Sequence, residues 1–242
     1  VLLAGLATPL VISVHSVVSL DFSIAQLPGW HSTIFPPYFV VGAIYSGLAM
    51  VFLLLLPLRR AFDLYDIVTE AHLDAMAKLM LAMGLMLTYS YVIETFMAWY
   101  SGNAAERYTY LVARPSGPYA VAYWIMTALN VLTPQLFWVR RFRTSTPALF
   151  VASVGILIGM WMERFIIIVT SLNRDFLTSS WHLYLPTWVD WGILAGSLGL
   201  FGFLFLLFVR FVPSVAISEV KALSLELANA AGAQRAGTAN DA

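Results

Sequence analysis

The sequence predicts an all-α integral membrane protein, a bundle of about six transmembrane helices. Three observations carry that prediction. Hydrophobic residues make up 60% of the 242-residue chain and charged residues only 11%, whereas soluble domains run nearer roughly 45–50% and about 25%. Six apolar runs each reach the ~20 residues that a helix needs to cross a bilayer. The alternating ~10-residue segments of a transmembrane barrel are missing from all six.

The runs follow one another as Val1–Leu20, Tyr38–Leu58, Met76–Tyr100, Pro118–Trp138, Leu149–Thr170 and Trp188–Phe211. Pro9 is a candidate kink in the first. Between the first and second, "PGWHSTIFPPYF" (28–39) ends in Pro36 and Pro37, which stop any helix before the second span starts. Ahead of the third, "DLYDIVTEAHLDAMAK" (63–78) mixes acids with apolar residues and reads as an interfacial helix. Its His72, Asp74 and Lys78 fit a solvated helix start better than a proton intake. Residues 1–212 therefore form the bundle, and 213–242 turn amphipathic and then Ala/Gly-rich, as a frayed or disordered cytoplasmic tail does. The chain starts at an apolar Val1 with no Met or basic n-region, which reads as a processed product or part of a longer protein rather than a signal peptide.

Orientation follows from Lys and Arg in the short loops. The second loop begins with Arg59 and Arg60 and ends near Lys78, the fourth carries Arg140, Arg141 and Arg143, and the tail adds Arg210, Lys221 and Arg235. The first loop has none, the third has Arg107 and Arg114, and the fifth has Arg174 beside Asp175. The second and fourth loops and the C-terminus thus face the cytoplasm. Trp30, Trp99, Tyr100, Trp181 and Trp188 mark the opposite, outer boundary.

Charges inside hydrocarbon cost roughly 2.5–3.5 kcal/mol each on insertion scales, so each one asks for a reason. His15 in the first span, Glu94 in the third, and Glu163 with Arg164 in the fifth all lie within a few turns of the outer boundary. One shared depth suggests a pocket open to the outer face. His15 shares a helical face with Thr8, Ile12 and Ser19. Asp21 is six residues on, about 240° around the helix, so the two are walls of a pocket rather than a stacked pair. Tyr91 and Glu94 share a face of the third span, suited to relaying a proton. The competing reading is a buried salt bridge, with Arg164 as the obvious partner of Glu94. Glu163 and Arg164 project about 100° apart, so at least one must pair across helices. Trp30 and His31 can fold over the outer face as a wall for a flat ring, although a Trp there is more often an interfacial anchor.

Several classes fall away. Net charge is zero, which gives no field for nucleic acid. Cysteine is absent, so this chain holds neither disulfides nor thiolate-bound iron–sulfur clusters. Of four histidines only His15 lies within a span, one short of a bis-His haem. No metal site, P-loop, HExxH or GxSxG pattern is present. Three classes stay open: a redox subunit that uses a diffusible substrate and a partner's cofactor, a proton-coupled secondary transporter, and a structural anchor for a peripheral enzyme. A transporter places its charges nearer the midplane, and an anchor has no need of a buried charged layer.

"HSVVSLDF", "PGWHSTIFPPYFVVGAIYSG", "HLDAMAK", "YVIETFMAWYSGN" and "PTWVDW" together resemble the NrfD/PsrC-like (polysulfide reductase type) membrane subunits of bacterial respiratory complexes. The likeness is greatest to the quinol-binding member of alternative complex III and extends to about Lys221. Such members have about ten spans, so six imply a C-terminal portion. The resemblance implies a subunit without its own redox centre, in the bacterial cytoplasmic membrane. It would bind quinol or menaquinol near the periplasmic face and pass electrons to an iron–sulfur cluster of a periplasmic partner. A second NrfD-like membrane subunit and cytochrome c subunits are the further implied partners. Carried over residue by residue, His15 and Asp21 match the quinone contacts and the catalytic role, with Trp30 and His31 beside them. Glu94, Glu163 and Arg164 match polar positions of a proton path, and Tyr91 joins them by its place on the Glu94 face.

Overall fold

The computed structural model describes residues 2–174, 177–212 and 220–221. The tail expected over 213–242, apart from Val220 and Lys221, and Asp175 beside Arg174, lie outside the described residues. The described residues are mainly helical, with no strand among them. In order the helices are α1 (Leu2–Ser23), α2 (Phe35–Ala61), α3 (Glu70–Tyr100), α4 (Ala104–Tyr108), α5 (Arg114–Ser116), α6 (Ala120–Thr127), α7 (Arg140–Thr144), α8 (Thr146–Asn173) and α9 (Trp188–Phe211). Six stretches among the described residues are long and apolar enough to cross a membrane: Gly5–Ser23, Phe35–Ala61, Glu70–Tyr100, Ala120–Trp138, Thr146–Asn173 and Trp188–Phe211.

The chain divides into two compact units, Val1–Tyr184 and Leu185–Ala242. In the first, α2, α3 and α8 form the core. The buried positions of α2 are Phe35, Tyr38, Phe39, Gly42, Tyr45, Ala49, Phe52, Leu56 and Arg59. Without Phe39, they recur at alternating steps of three and four, the seam by which helices interlock. On α3 the same rhythm runs Leu73, Ala77, Met80, Gly84, Leu87. Leu149, Ala152, Ile156 and Gly159 carry it on α8. Charged residues continue these stripes: Arg59 on α2, Glu94 on α3 and Glu163 on α8. In the second unit, α9 opens with a reciprocal cap in which Asp190 Oδ2 accepts from the Thr187 backbone N–H and hydroxyl, each at 2.7 Å.

Three local features depart from the sequence reading. Pro36 and Pro37 do not precede α2; they sit in its first turn, where a missing N–H costs nothing. The 63–78 stretch is not a separate interfacial helix. Residues 63–68 are turns, and α3 begins at Glu70 behind a Thr69–His72 cap. Asp74 is held there by Lys78 at 2.6 Å and Arg143 at 2.7 Å. The run Pro118–Trp138 is a broken helix rather than a continuous one. After α6 the chain makes a π turn (Ala128–Leu132) and then a 3-10 helix (Thr133–Trp138). Pro134 lacks the N–H and clashes with a regular α-helical turn, which accounts for the change of winding. Two glycines let the broken helix approach. A Cβ on Gly84 of α3 would sit 2.7 Å from the Pro134 ring, and one on Gly159 of α8 would overlap Asn130 Oδ1.

Candidate functional site: a buried polar cluster between two cavities

Asn130 lies in the π turn, where the extra residue pushes a side chain off the regular helical ladder. That places it, fully buried, between α3 and α8. Its Nδ2 donates to the Tyr91 hydroxyl at 2.9 Å and to Glu163 Oε2 at 3.4 Å. Tyr91 in turn donates its hydroxyl proton to Glu163 Oε2. Glu163 is 1% exposed. Its other neighbour is Arg164, whose Nη2 bends back to within 3.5 Å of Oε1. Adjacency thus does not keep these two apart, because the arginine arm is long enough to turn along the helix. The well-formed bonds of Glu163 nevertheless cross to other helices, as the 100° argument requires. Arg164 lies over the rings of Phe39 at 4.1 Å and Tyr38 at 5.9 Å.

Glu94, three residues along α3 from Tyr91, does not pair with Arg164. Its partner is Arg114, whose Nη1 stands 3.9 Å from Glu94 Oε2. The third loop folds back to deliver that arginine. Asn103 caps α4, a second π turn (Thr109–Ala113) follows, and α5 sets Arg114 inside, 6% exposed. The guanidinium stacks on the Tyr110 ring at 4.0 Å and reaches Gly29 O at 3.5 Å, which Tyr110 also bonds. Gly29 has φ +85°, and a Cβ there would meet Ser171 Oγ at 2.9 Å and Arg114 Nη2 at 3.4 Å. Both the backbone turn and the close approach need glycine.

Around this cluster lie two cavities. The inner one, about 560 Å³, has a wall of Tyr91, Glu94, Arg114 and Glu163 facing apolar side chains such as Met126, Val131 and Ile166. The outer one, about 750 Å³, is lined by His31, Glu106, Asn103 and Ser101. Glu94 and Tyr110 border both. Buried polar atoms of the cluster that lack a hydrogen-bond partner include Glu94 Oε1, Arg114 Nε, Asn130 Oδ1, Glu163 Oε1 and Arg164 Nη1. Buried polar groups are normally satisfied, so these are places for water or a ligand hydroxyl. On the outer side, burial holds the Glu106 carboxyl above its ordinary pKa, and a charged His31 opposes that rise. No group of His, Cys, Asp and Glu able to hold a metal occurs among the described residues.

The chain's residues 1–174 match the family model described as "Polysulphide reductase, NrfD". The chain belongs to the NrfD family. Membership makes it a membrane subunit of quinol-linked oxidoreductase complexes, of the kind that works with iron–sulfur protein partners. Comparison with curated proteins finds no match.

Of the residues singled out in the sequence of this NrfD-family chain, the structure brings Tyr91, Glu94 and Glu163 to one cavity and sets Arg164 beside them. His31 borders the outer cavity. Trp30 anchors the first loop to α8, donating Nε1 to Ile167 O at 2.7 Å and packing edge-on to Phe22 at 4.9 Å. His15 and Asp21 line neither cavity. His15 is half-buried on α1 with Nδ1 2.8 Å from Val11 O, and Asp21 is exposed near the C-terminal end of the same helix. Sequence reasoning missed Arg114, which looked like a loop charge, and Asn130, a neutral residue in an apolar run. The Thr-Pro step at 133–134 was the one available signal for the break that positions Asn130.

Proposed function

We propose that the chain is the quinol-binding membrane subunit of a quinol:acceptor oxidoreductase, and that its buried carboxylate row moves the protons of quinol oxidation toward the outer face. The observation that supports this is the row itself. Glu163, Tyr91 and Asn130 share hydrogen bonds at the inner cavity, and Glu94 separates that cavity from an outer one lined by Glu106 and His31. Oxidising a quinol removes two electrons and two protons, so the protein must supply acceptors for both hydroxyl protons and a route away. Carboxylates spaced by a Tyr hydroxyl and open cavities for water provide that route.

In this reading His15 takes the first proton through its free Nε2, and Asp21 orients the head group at the outer end of α1, with Trp30 and His31 in the adjoining loop. Tyr91, Glu94, Glu163 and Arg164 form the proton path. Electrons pass to an iron–sulfur cluster of a periplasmic partner. The substrate is quinol or menaquinol, in an assembly of the alternative complex III type with a second NrfD-like subunit and cytochrome c subunits. The positively charged loops and the C-terminus face the cytoplasm. The domain division follows the same reading, with 1–212 as the membrane bundle and 213–242 as the tail.

Two variants in the assembled complex test the division of roles. His15→Ala should raise the quinol KM and slow oxidation, whereas Glu94→Gln should leave quinol affinity intact and cut turnover about tenfold or more. Wild-type rate and affinity in His15→Ala would remove His15 from the quinol site. Unchanged turnover and proton release in Glu94→Gln would remove the proton path.

A further inference from the structure

At the end of the bundle opposite the outer cavity, α2 closes on Arg59 and Arg60, and α8 opens on Thr146 and Pro147. Between them lies a cavity of about 770 Å³. Arg59 is the last position of the buried α2 stripe and is only 7% exposed. No carboxylate stands within salt-bridge distance of it among the described residues, and its Nε has no hydrogen-bond partner. The ring of Tyr65 covers one face of the guanidinium at 4.5 Å. This is the reverse of Arg114 and Arg143, which each meet an acid. A buried arginine without a counter-charge is costly unless an anion completes it.

The rest of the cavity fits a particular kind of anion. Arg60 adds a second positive charge at the mouth. The first turn of α8, a 28-residue helix, borders it at Thr146, and no side chain caps that helix start. Pro147 has no N–H to offer, but the positive end of the helix dipole still favours negative charge there. Below the charges, Leu56, Phe150 and Val151 make the wall apolar in the direction of the membrane interior. A phosphate meeting arginines at the boundary with hydrocarbon below it is the layout of a phospholipid site.

We propose that this cavity binds the phosphate of an anionic phospholipid, with Arg59 as the principal contact, Arg60 as the second, and the acyl chains along the α2–α8 seam. The site is independent of the quinol reading, since it lies at the other end of the bundle and shares no residue with that cluster. It gives the α2–α8 seam a lipid as part of its structure.

The test uses the full-length chain within its purified complex, in detergent and in vesicles. Vesicles of phosphatidylcholine alone are compared with vesicles containing phosphatidylglycerol, and a third arm adds inorganic phosphate in detergent. Native mass spectrometry counts retained lipid, and thermal unfolding reports stabilisation. Phosphatidylglycerol should be retained and raise the unfolding temperature, and Arg59→Gln should weaken its retention about tenfold, while Arg59→Lys keeps part of it. Arg60→Gln, at an exposed position, should give a smaller loss in a chain that folds normally. Equal retention of the two lipids, or unchanged retention in both glutamine variants, would overturn the proposal. Stabilisation by inorganic phosphate equal to that by phosphatidylglycerol would overturn the lipid assignment, leaving a free phosphate site.

Discussion

Glu106 and His31 illustrate how single residues set the outer cavity's chemistry. Burial keeps the Glu106 carboxyl protonated to higher pH than in an unfolded chain, and His31 limits the effect while it is charged. The stability from this is therefore present below the ordinary carboxylate range and is lost as pH rises through the folded-state value. Replacing His31→Ala removes the opposing charge, so the Glu106 carboxyl should titrate at still higher pH. The carboxyl band in the infrared difference spectrum between wild type and Glu106→Gln would report it. A midpoint unmoved by His31→Ala would mean the two do not interact. Single residues were also where the sequence was hardest to read. Glu94 and Glu163 stood out because a charge in an apolar run is conspicuous. Arg114 did not, because it stands in a loop beside Pro115, Ser116 and Gly117, and only the fold-back of residues 104–116 buries it.

At the scale of elements, the broken α6 segment decides the site's shape. Its π turn carries Asn130 inward, and two glycines on facing helices make room for it. Gly159→Ala would drive a methyl into Asn130 Oδ1 and should cost about 1–3 kcal/mol by overpacking. Gly155→Ala, whose nearest neighbour would be Leu129 at 3.4 Å, is the tolerated control. Thermal unfolding of both in detergent separates them; equal midpoints would show that the turn yields freely. Hydropathy marked this span by length and composition, quantities blind to how the backbone winds. The three-and-four rhythm that buries α2, α3 and α8 is written in the sequence, and Arg59, Glu94 and Glu163 fall in step with it.

Across the first unit, the two ends are built differently. One end is tied by ion pairs at its rim, with Asp74 held by Lys78 and by Arg143, which also donates to Phe137 O and Trp138 O. The other end is roofed by loops that reach inside, through Trp30 to Ile167, Arg114 to Glu94, and Tyr119 to the Tyr184 backbone. Arg114→Met should therefore strand Glu94 and cost about 3–5 kcal/mol, and adding Glu94→Gln should recover part of the loss. A double variant as unstable as Arg114→Met alone would mean that the arginine serves only to pack Tyr110. That partnership also has a history within each molecule's synthesis. Glu94 enters the bilayer twenty residues ahead of Arg114, so α3 must be carried in by its leucines and methionines with the acid unmatched. Only when the third loop has emerged and folded back does the charge find its mate, so the roof at this end of the first unit closes after α3 has entered the bilayer.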